Sequence, residues 1–338
     1  MKFAVIGYPN EASLAASYCR AITSLGHEHI LVDINAMDTN YARLGAVGRK
    51  LHQFLSVPAW TRKANRDTAI TINNYRPDAI IVIGNMRVNV GALAFLKVAL
   101  KCKIIWVWPD TLLNMEPWLL QAAGMIDVFA SYSSQSLTVL NEMGFRNAQW
   151  IPLAADMQLH HYPLTIDDAK FTCDLSFVGG CRPEREQALL DIITAFPNLN
   201  VQIFGPLEVW KRQCKSKKVL ARVAGDSLFG KDFSAQVAAS RINLNVIDDT
   251  NYPSANMRFF EVSAAGGLQL VSTCPEMEAV YKDKESMLYF NNKTEMLQNI
   301  EWAISHLSEA QQIRQNVQAL TSQAHTYEAR LQTIINHF

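Results

Sequence analysis

The sequence predicts a doubly wound α/β protein made of two parallel-sheet domains, and three observations carry that prediction. Short apolar runs at residues 2–6, 79–83, 103–108, 173–178 and 268–272 alternate with longer amphipathic stretches, the signature of strands joined by crossover helices. The alternation completes one set by about residue 153, pauses through a Pro- and Asp-containing segment, and restarts at Cys173. Finally, 338 residues exceed what one hydrophobic core usually organises.

In the N-terminal half, residues 2–6 end at Gly7, residues 12–25 read as a helix stopped by Gly26, and residues 29–34 form the next apolar run. Strands follow at 79–83, after the break at Pro77, and at 103–108, with a helix over 91–100 between them. Residues 126–130 read as a strand, 135–143 as a helix ended by Gly144, and 148–153 as a closing strand. The first turn, GYPNEAS, lacks G-x-G-x-x-G, and no G-x-x-x-x-G-K-[ST] occurs, so a dehydrogenase or P-loop enzyme is disfavoured. Ligands of open α/β sheets sit beyond the carboxyl ends of strands, which places Gly7, Gly84, Asn85 and Asp110 at a binding edge. Asp110, ending IIWVWPD, has the position of a general base for a hydroxyl or, more plainly, of a helix cap.

The C-terminal half restarts with a strand at 173–178 that opens onto GGCRPEREQALLDII, where Gly179 and Gly180 admit close backbone approach and Pro183 begins a helix bearing Arg182 and Arg185. A strand over 201–204 ends at Gly205, a helix covers 233–240, and a strand covers 242–247. Residues 254–273, SANMRFFEVSAAGGLQLVST, read as a capped helix over 257–265 feeding a buried strand. Arg258 occupies the first turn, where the helix dipole favours negative charge, and no acid precedes Glu261, so a bound anion such as a ligand phosphate would complete the site. A second pair of arginines at a helix start, Arg182 and Arg185, makes one diphosphate the economical explanation of both. An Arg258–Glu261 pair at i, i+3, and pairing of Glu184 and Glu186 with the other arginines, explain the charges without a ligand. A late strand at 286–290 and helices at 294–306, 310–322 and 327–337 finish the chain.

Composition narrows the function. Acidic and basic residues number 31 each, so there is no global attraction to nucleic acid, and the patch at 211–218 lacks aromatic interleaving. The six cysteines are dispersed without a C-x-x-C pair, and His27, His29, His160 and His161 lack metal-ligand context, so no metal or other cofactor is expected. The start has no long apolar signal and no run is long enough to span a bilayer, which points to a cytoplasmic protein. The basic stretch from Tyr41 to Arg66 reads as a packed helix face, with peripheral contact to an anionic membrane as the alternative.

The segments CDLSFVGGCRPEREQALL, VQIFGP, NMRFFEVSAAGGLQLVST and HTYEARLQTII, with looser matches at YRPDAIIVI, IWVWPD and IPLAAD, resemble the CgeB-like glycosyltransferases, a branch of the GT-B enzymes related to glycosyltransferase family four. The resemblance implies two Rossmann-like domains facing a cleft: residues 1–155 binding the acceptor, a linker over 156–170, residues 171–322 binding a nucleotide-sugar donor, and a helix within 323–338 crossing back to the first domain. It implies a metal-independent transfer of sugar to a glycan, lipid or protein acceptor in surface or secreted polysaccharide synthesis. By position it sets Arg185 on the donor diphosphate, Glu261 on the ribose, and residues 226–230, including Leu228, near the base. Gly179, Gly180, Arg182, Gly205, Asn256 and Arg258 complete the donor side, Gly7 and Asn85 the acceptor side, and Asp110 the catalytic place. Two positions depart from the family pattern. Pro253 stands eight residues before Glu261 where a first glutamate is customary, and Gly180 stands where an arginine is, a charge that Arg258 or Arg182 can supply. A sugar-nucleotide epimerase and a non-catalytic nucleotide-sugar-binding or structural protein are the alternatives on the same fold.

Overall fold

Two six-stranded, wholly parallel sheets organise the described residues of the computed structural model, which are 1–34, 47, 58–164 and 171–338. Most of the stretch from Tyr41 to Arg66, and Asp167 and Asp168 of the expected linker, lie outside them. The chain divides into one unit of Met1–Pro152 with Tyr327–Phe338 and a second of Leu153–Thr326.

The first unit runs β1 (Lys2–Ile6), α1 (Leu14–Ser24), β2 (Glu28–Val32), α2 (Pro58–Tyr75), β3 (Ala79–Ile83), α3 (Val90–Leu100), β4 (Lys103–Trp108), β5 (Val128–Ser131), α4 (Ser136–Glu142) and β6 (Ala148–Trp150). The order is β2-β1-β3-β4-β5-β6, so the chain reverses direction between β1 and β3. β3 is buried along its whole length, which is why it reads as an unbroken Ile/Val run. Ser13 and Asn89 start α1 and α3 by accepting hydrogen bonds from Ala16 N and Ala92 N. Pro117–Met125 is a 3-10 segment whose Leu119, Ala122 and Ala123 are buried.

The second unit opens with α5 (Met157–His160), a single turn capped by Asp156 within the stretch that reads as a linker. It continues as β7 (Cys173–Val178), α6 (Pro183–Ala195), β8 (Val201–Phe204), α7 (Leu207–Gln213), α8 (Lys217–Leu220), β9 (Val223–Gly225), α9 (Gly230–Ala238), β10 (Ser240–Asn245), α10 (Met257–Ala264), β11 (Gln269–Ser272), α11 (Pro275–Glu278), β12 (Leu288–Phe290), α12 (Lys293–Ser305) and α13 (Leu307–Ala324). The order β12-β11-β10-β7-β8-β9 is that of a dinucleotide-binding sheet, with its reversal between β7 and β10. β10 begins two residues before its apolar run because its first side chain is polar yet paired inside the core, where the Ser240 Oγ donates to Gln236 O at 2.6 Å. Ser176 Oγ donates to Asn243 Oδ1 at 2.8 Å, and Asn245 Nδ2 donates to Gln269 Oε1 at 2.7 Å. The basic patch at 211–218 covers the last turn of α7, where cations suit the helix dipole, and the start of the single turn α8.

The last helix, α14 (Tyr327–Ile335), belongs to the first unit. The Tyr327 ring lies 5.3 Å from that of Tyr18 on α1, and Arg330 Nε donates to Pro152 O at 2.8 Å. Among the described residues no helix is long and apolar enough to cross a membrane.

α13 is tied to its sheet by Arg314, only 2% exposed, whose guanidinium donates to Ser240 O and Ala238 O at 3.1 and 3.0 Å and stacks 4.6 Å from the Phe171 ring centre. Replacing Arg314 by Ala strips two buried carbonyls of their donor and lowers stability by about 3 kcal/mol, read as a fall in the urea midpoint. Arg314→Lys, without the planar fork, recovers only part of it.

Candidate functional site

The reversal between β7 and β10 leaves a crevice at the carboxyl ends of those strands, and a cavity of about 230 Å3 lies there within the second unit. Its floor is polar, from Ser176, Asn243 and Asn245, and its apolar wall comes from Phe233, Val237 and Val262. Gly179 enters it from the β7–α6 connection, Arg185 from the first turn of α6, and Asn256 and Arg258 from the start of α10. Four of the expected donor-side residues therefore converge on one cavity.

The start of α10 is held by amides. Asn256 caps the helix by accepting from Phe259 N at 3.0 Å. Asn245 Nδ2 donates to Asn256 Oδ1 and Asn256 Nδ2 donates back to Asn245 Oδ1, at 3.0 and 2.9 Å, so the cap is locked to the end of β10.

Arg258 is not left without an anion. Its Nη1 donates to Glu261 Oε2, and its guanidinium lies 4.2 Å from the Phe233 ring centre, the pairing that i, i+3 spacing allows. Glu261 is 5% exposed, and His160 Nε2 stands 3.6 Å from its other oxygen. The His160 Nδ1 accepts from Asp156 N at 3.3 Å, so Nε2 is the nitrogen that carries hydrogen toward Glu261. His160, set aside in the sequence as part of a linker, is thus a member of this cluster.

The arginines of the β7–α6 connection pair with neither Glu184 nor Glu186. Arg185 Nη2 donates to Asp248 Oδ2 at 3.1 Å and Nη1 to Gly180 O at 3.3 Å, while Arg182 approaches the same Asp248 oxygen at 3.4 Å. Glu186 Oε1 instead accepts from Lys215 N and Ser216 N at 2.8 and 2.6 Å. Burial lowers the Arg185 guanidinium below its ordinary pKa against the pull of Asp248, and its buried Nε has no hydrogen-bond partner among the described residues. Burial raises the Asp248 carboxyl, but the Thr250 hydroxyl, both arginines and the Asn251 amide outweigh it and hold the carboxyl below its usual value. Burial, then Cys214 and Glu186, push the neighbouring Cys181 thiol up to about 11.

Gly180 meets open space, so a side chain fits there. Gly205 cannot carry one: a Cβ would stand 2.1 Å from Gly179 O and 2.6 Å from Trp210 Nε1, the group that donates to Gly179 O at 3.0 Å. Gly205 thus supports the Gly179 loop from beneath. Leu228 packs beside the apolar cluster of Phe233, Val237, Val262 and Ala265.

In the first unit, Asn85 Nδ2 donates to Asn114 O at 2.8 Å, and Asp110 accepts from Thr111 N and from Asn114 Nδ2, both at 2.7 Å. Asn114 thus links Asn85 to Asp110, whose carboxylate shapes the turn after β4. Gly7 is required by packing, since a Cβ would stand 2.4 Å from the Ala15 Cβ.

Residues 184–336 match the family model described as glycosyl transferase-like. No curated protein matches the chain in sequence. Among solved structures, the chain is similar to a glycosyltransferase from Rickettsia africae, 11% identical with a TM-score of 0.69 over 99% of this chain and 97% of that one. It is also similar to Anabaena HepE in complex with UDP-glucose, 16% identical with a TM-score of 0.67 over 99% and 98%. Sucrose-phosphate synthase from Thermosynechococcus elongatus is 10% identical with a TM-score of 0.67 over 99% and 97%. These similarities show the GT-B fold, with the glycosyl transferase-like match confined to residues 184–336.

The depressed Asp248 carboxyl favours the folded chain above its unfolded pKa of about 4, and that contribution fades as pH falls through the lower native value. The gap in urea midpoint between the wild type and Asp248→Asn is therefore widest near neutral pH and narrows steadily below about pH 4.

Proposed function

We propose that this GT-B chain, whose residues 184–336 match a glycosyl transferase-like model, transfers a hexose-like residue from a nucleotide sugar to a glycan, lipid or protein acceptor. The cavity between β7 and β10 is read as the seat of the donor. The observation that carries this is the meeting, at one switch point, of two cations and a capped helix start: Arg185 and Arg258 line the cavity with Asn256. The donor diphosphate would lie against the Gly179–Gly180 backbone and the first turn of α10, whose free N–H groups suit an anion.

Arg258 and Glu261 act together in this reading. An arriving diphosphate competes for the Arg258 guanidinium, and the arginine's departure frees Glu261 Oε2 for the ribose hydroxyls while His160 keeps the other oxygen in place. Arg185, only partly engaged with Asp248 and carrying a buried unpartnered Nε, has a donor to spare for a phosphate oxygen. Charge developing on the leaving diphosphate would meet these cations and the helix dipole directly, without a metal ion. Arg182 and Arg258 also supply the charge missing at Gly180.

The acceptor side is assigned to the first unit, with Asp110 as the base for its hydroxyl and Asn85 and Gly7 at the neighbouring strand ends. The division into an acceptor domain over 1–155 and a donor domain over 171–322 belongs to the same reading. So do a CgeB-like, family-four lineage, a cytoplasmic site of action, with peripheral membrane contact by Tyr41 to Arg66 as the alternative to a packed helix face, and a role in surface or secreted polysaccharide synthesis.

Calorimetry with a panel of nucleoside diphosphates and their sugars tests the donor seat. Arg185→Ala and Arg258→Ala each weaken binding by about tenfold or more, the scale of a lost charge-assisted hydrogen bond. Unchanged affinity in both variants defeats the assignment. Asp110→Asn lowers kcat for transfer and leaves donor affinity intact.

A further inference from the structure

Outside the donor cavity, the fold gathers three metal-ligating side chains that the sequence keeps apart. The Sγ atoms of Cys181 and Cys214 and a carboxylate oxygen of Glu186 lie within 4.8 Å of one another. They arrive from three elements: Cys181 from the β7–α6 connection, Glu186 from the first turn of α6, and Cys214 from the carboxyl cap of α7. Cys181 is 4% exposed, and Cys214 and Glu186 are half-buried. The carboxylate is anchored by the Lys215 and Ser216 amides, which hold it against the segment bearing Cys214. An open cavity of about 700 Å3 adjoins the cluster and is lined by Cys181, Glu186, Arg182 and Lys215.

We propose that Cys181, Glu186 and Cys214 form a binding site for a thiophilic divalent cation of the zinc class, with the fourth coordination position open to water or a small ligand from the adjoining cavity. Two sulfurs and one carboxylate oxygen are a donor set for a borderline-soft ion. Tetrahedral coordination with bonds of about 2.3 Å to sulfur sets the sulfurs roughly 3.8 Å apart, which these side chains reach by rotamer adjustment. Arg182 and Lys215 at the rim offset the surplus negative charge of two thiolates and a carboxylate. A disulfide between the two cysteines has no use for the anchored Glu186, whose negative charge opposes the attacking thiolate. The bound ion would cross-link the Gly179–Arg182 loop to α7. This inference stands apart from the transferase reading and does not depend on it.

The test is titration of the full chain, stripped with chelator and reduced with a phosphine, with Co2+ alone. The expected result is a thiolate-to-cobalt charge-transfer band with the intense visible absorption of tetrahedral cobalt, saturating at about one equivalent and erased by Zn2+. Cys214→Ser, at the half-buried position, and Cys181→Ser lose most of the charge-transfer intensity. Glu186→Gln weakens affinity by about tenfold or more, and Cys19→Ala, in the first unit, leaves the titration unchanged. If Cys181→Ser fails to fold by circular dichroism, Cys214→Ser and Glu186→Gln carry the test. The proposal is overturned by absence of the charge-transfer band in the reduced wild type, or by its persistence in Cys214→Ser. A Cys181–Cys214 disulfide in peptide maps of air-exposed protein that binds no cobalt once reduced also overturns it.

Discussion

The candidate donor site depends on the amide pair between Asn245 and Asn256. Asn245 is almost fully buried at the end of β10, and an unpaired amide there would be costly. Its reciprocal bonds to Asn256 satisfy it and also fix the residue that caps α10. One exchange of hydrogen bonds thus converts the position of a strand into the position of a helix start. The other Asn245 bond, to Gln269, extends the lock to β11, and Gln269 in turn donates to Phe259 O within α10. Because every member is satisfied from inside the network, it specifies one geometry.

Around that frame the charges are economical. Asp248 serves Arg182 and Arg185, and Glu261 is shared by Arg258 and His160. Arg258 and Arg185 border the same cavity, and each is held by a single carboxylate among the described residues. The Arg258 charge disfavours that of Arg185, and the Asp248 and Glu261 carboxylates hold the two side chains in place. An anion entering between them gains from both and needs little rearrangement of the backbone.

Most of the sheet architecture was legible because buried parallel strands are written as continuous apolar runs, as in AIIVI of β3 and IIWVW of β4. Where strand residues are polar and internally paired, as Ser240 and Asn243 of β10 are, apolarity stops marking the strand and its start is misplaced. α5, α7 and α8 are short turns whose hydrophobic pattern has no room to repeat. At the site, Arg258 and Glu261 were readable because their partnership is local, three residues apart on one helix. The acids nearest in sequence to Arg182 and Arg185 were the wrong ones: Asp248 reaches them only through the pairing of β7 with β10, and His160 reaches Glu261 only through the docking of α5 on α10. The cysteine cluster escaped for the same reason, since C-x-x-C spacing marks only sites built on a single turn.

The placement of α14 bears on the order in which the chain is made. The first unit is discontinuous: its sheet is complete by Trp150, yet the helix that packs on α1 and donates to the Pro152 carbonyl follows the whole of the second unit in sequence. At ordinary rates of about 5–20 residues per second, the ribosome spends roughly 10–35 s on the intervening unit. For that interval the Tyr18 ring lacks its Tyr327 partner. The first unit therefore closes on itself only after the whole of the second unit has been made.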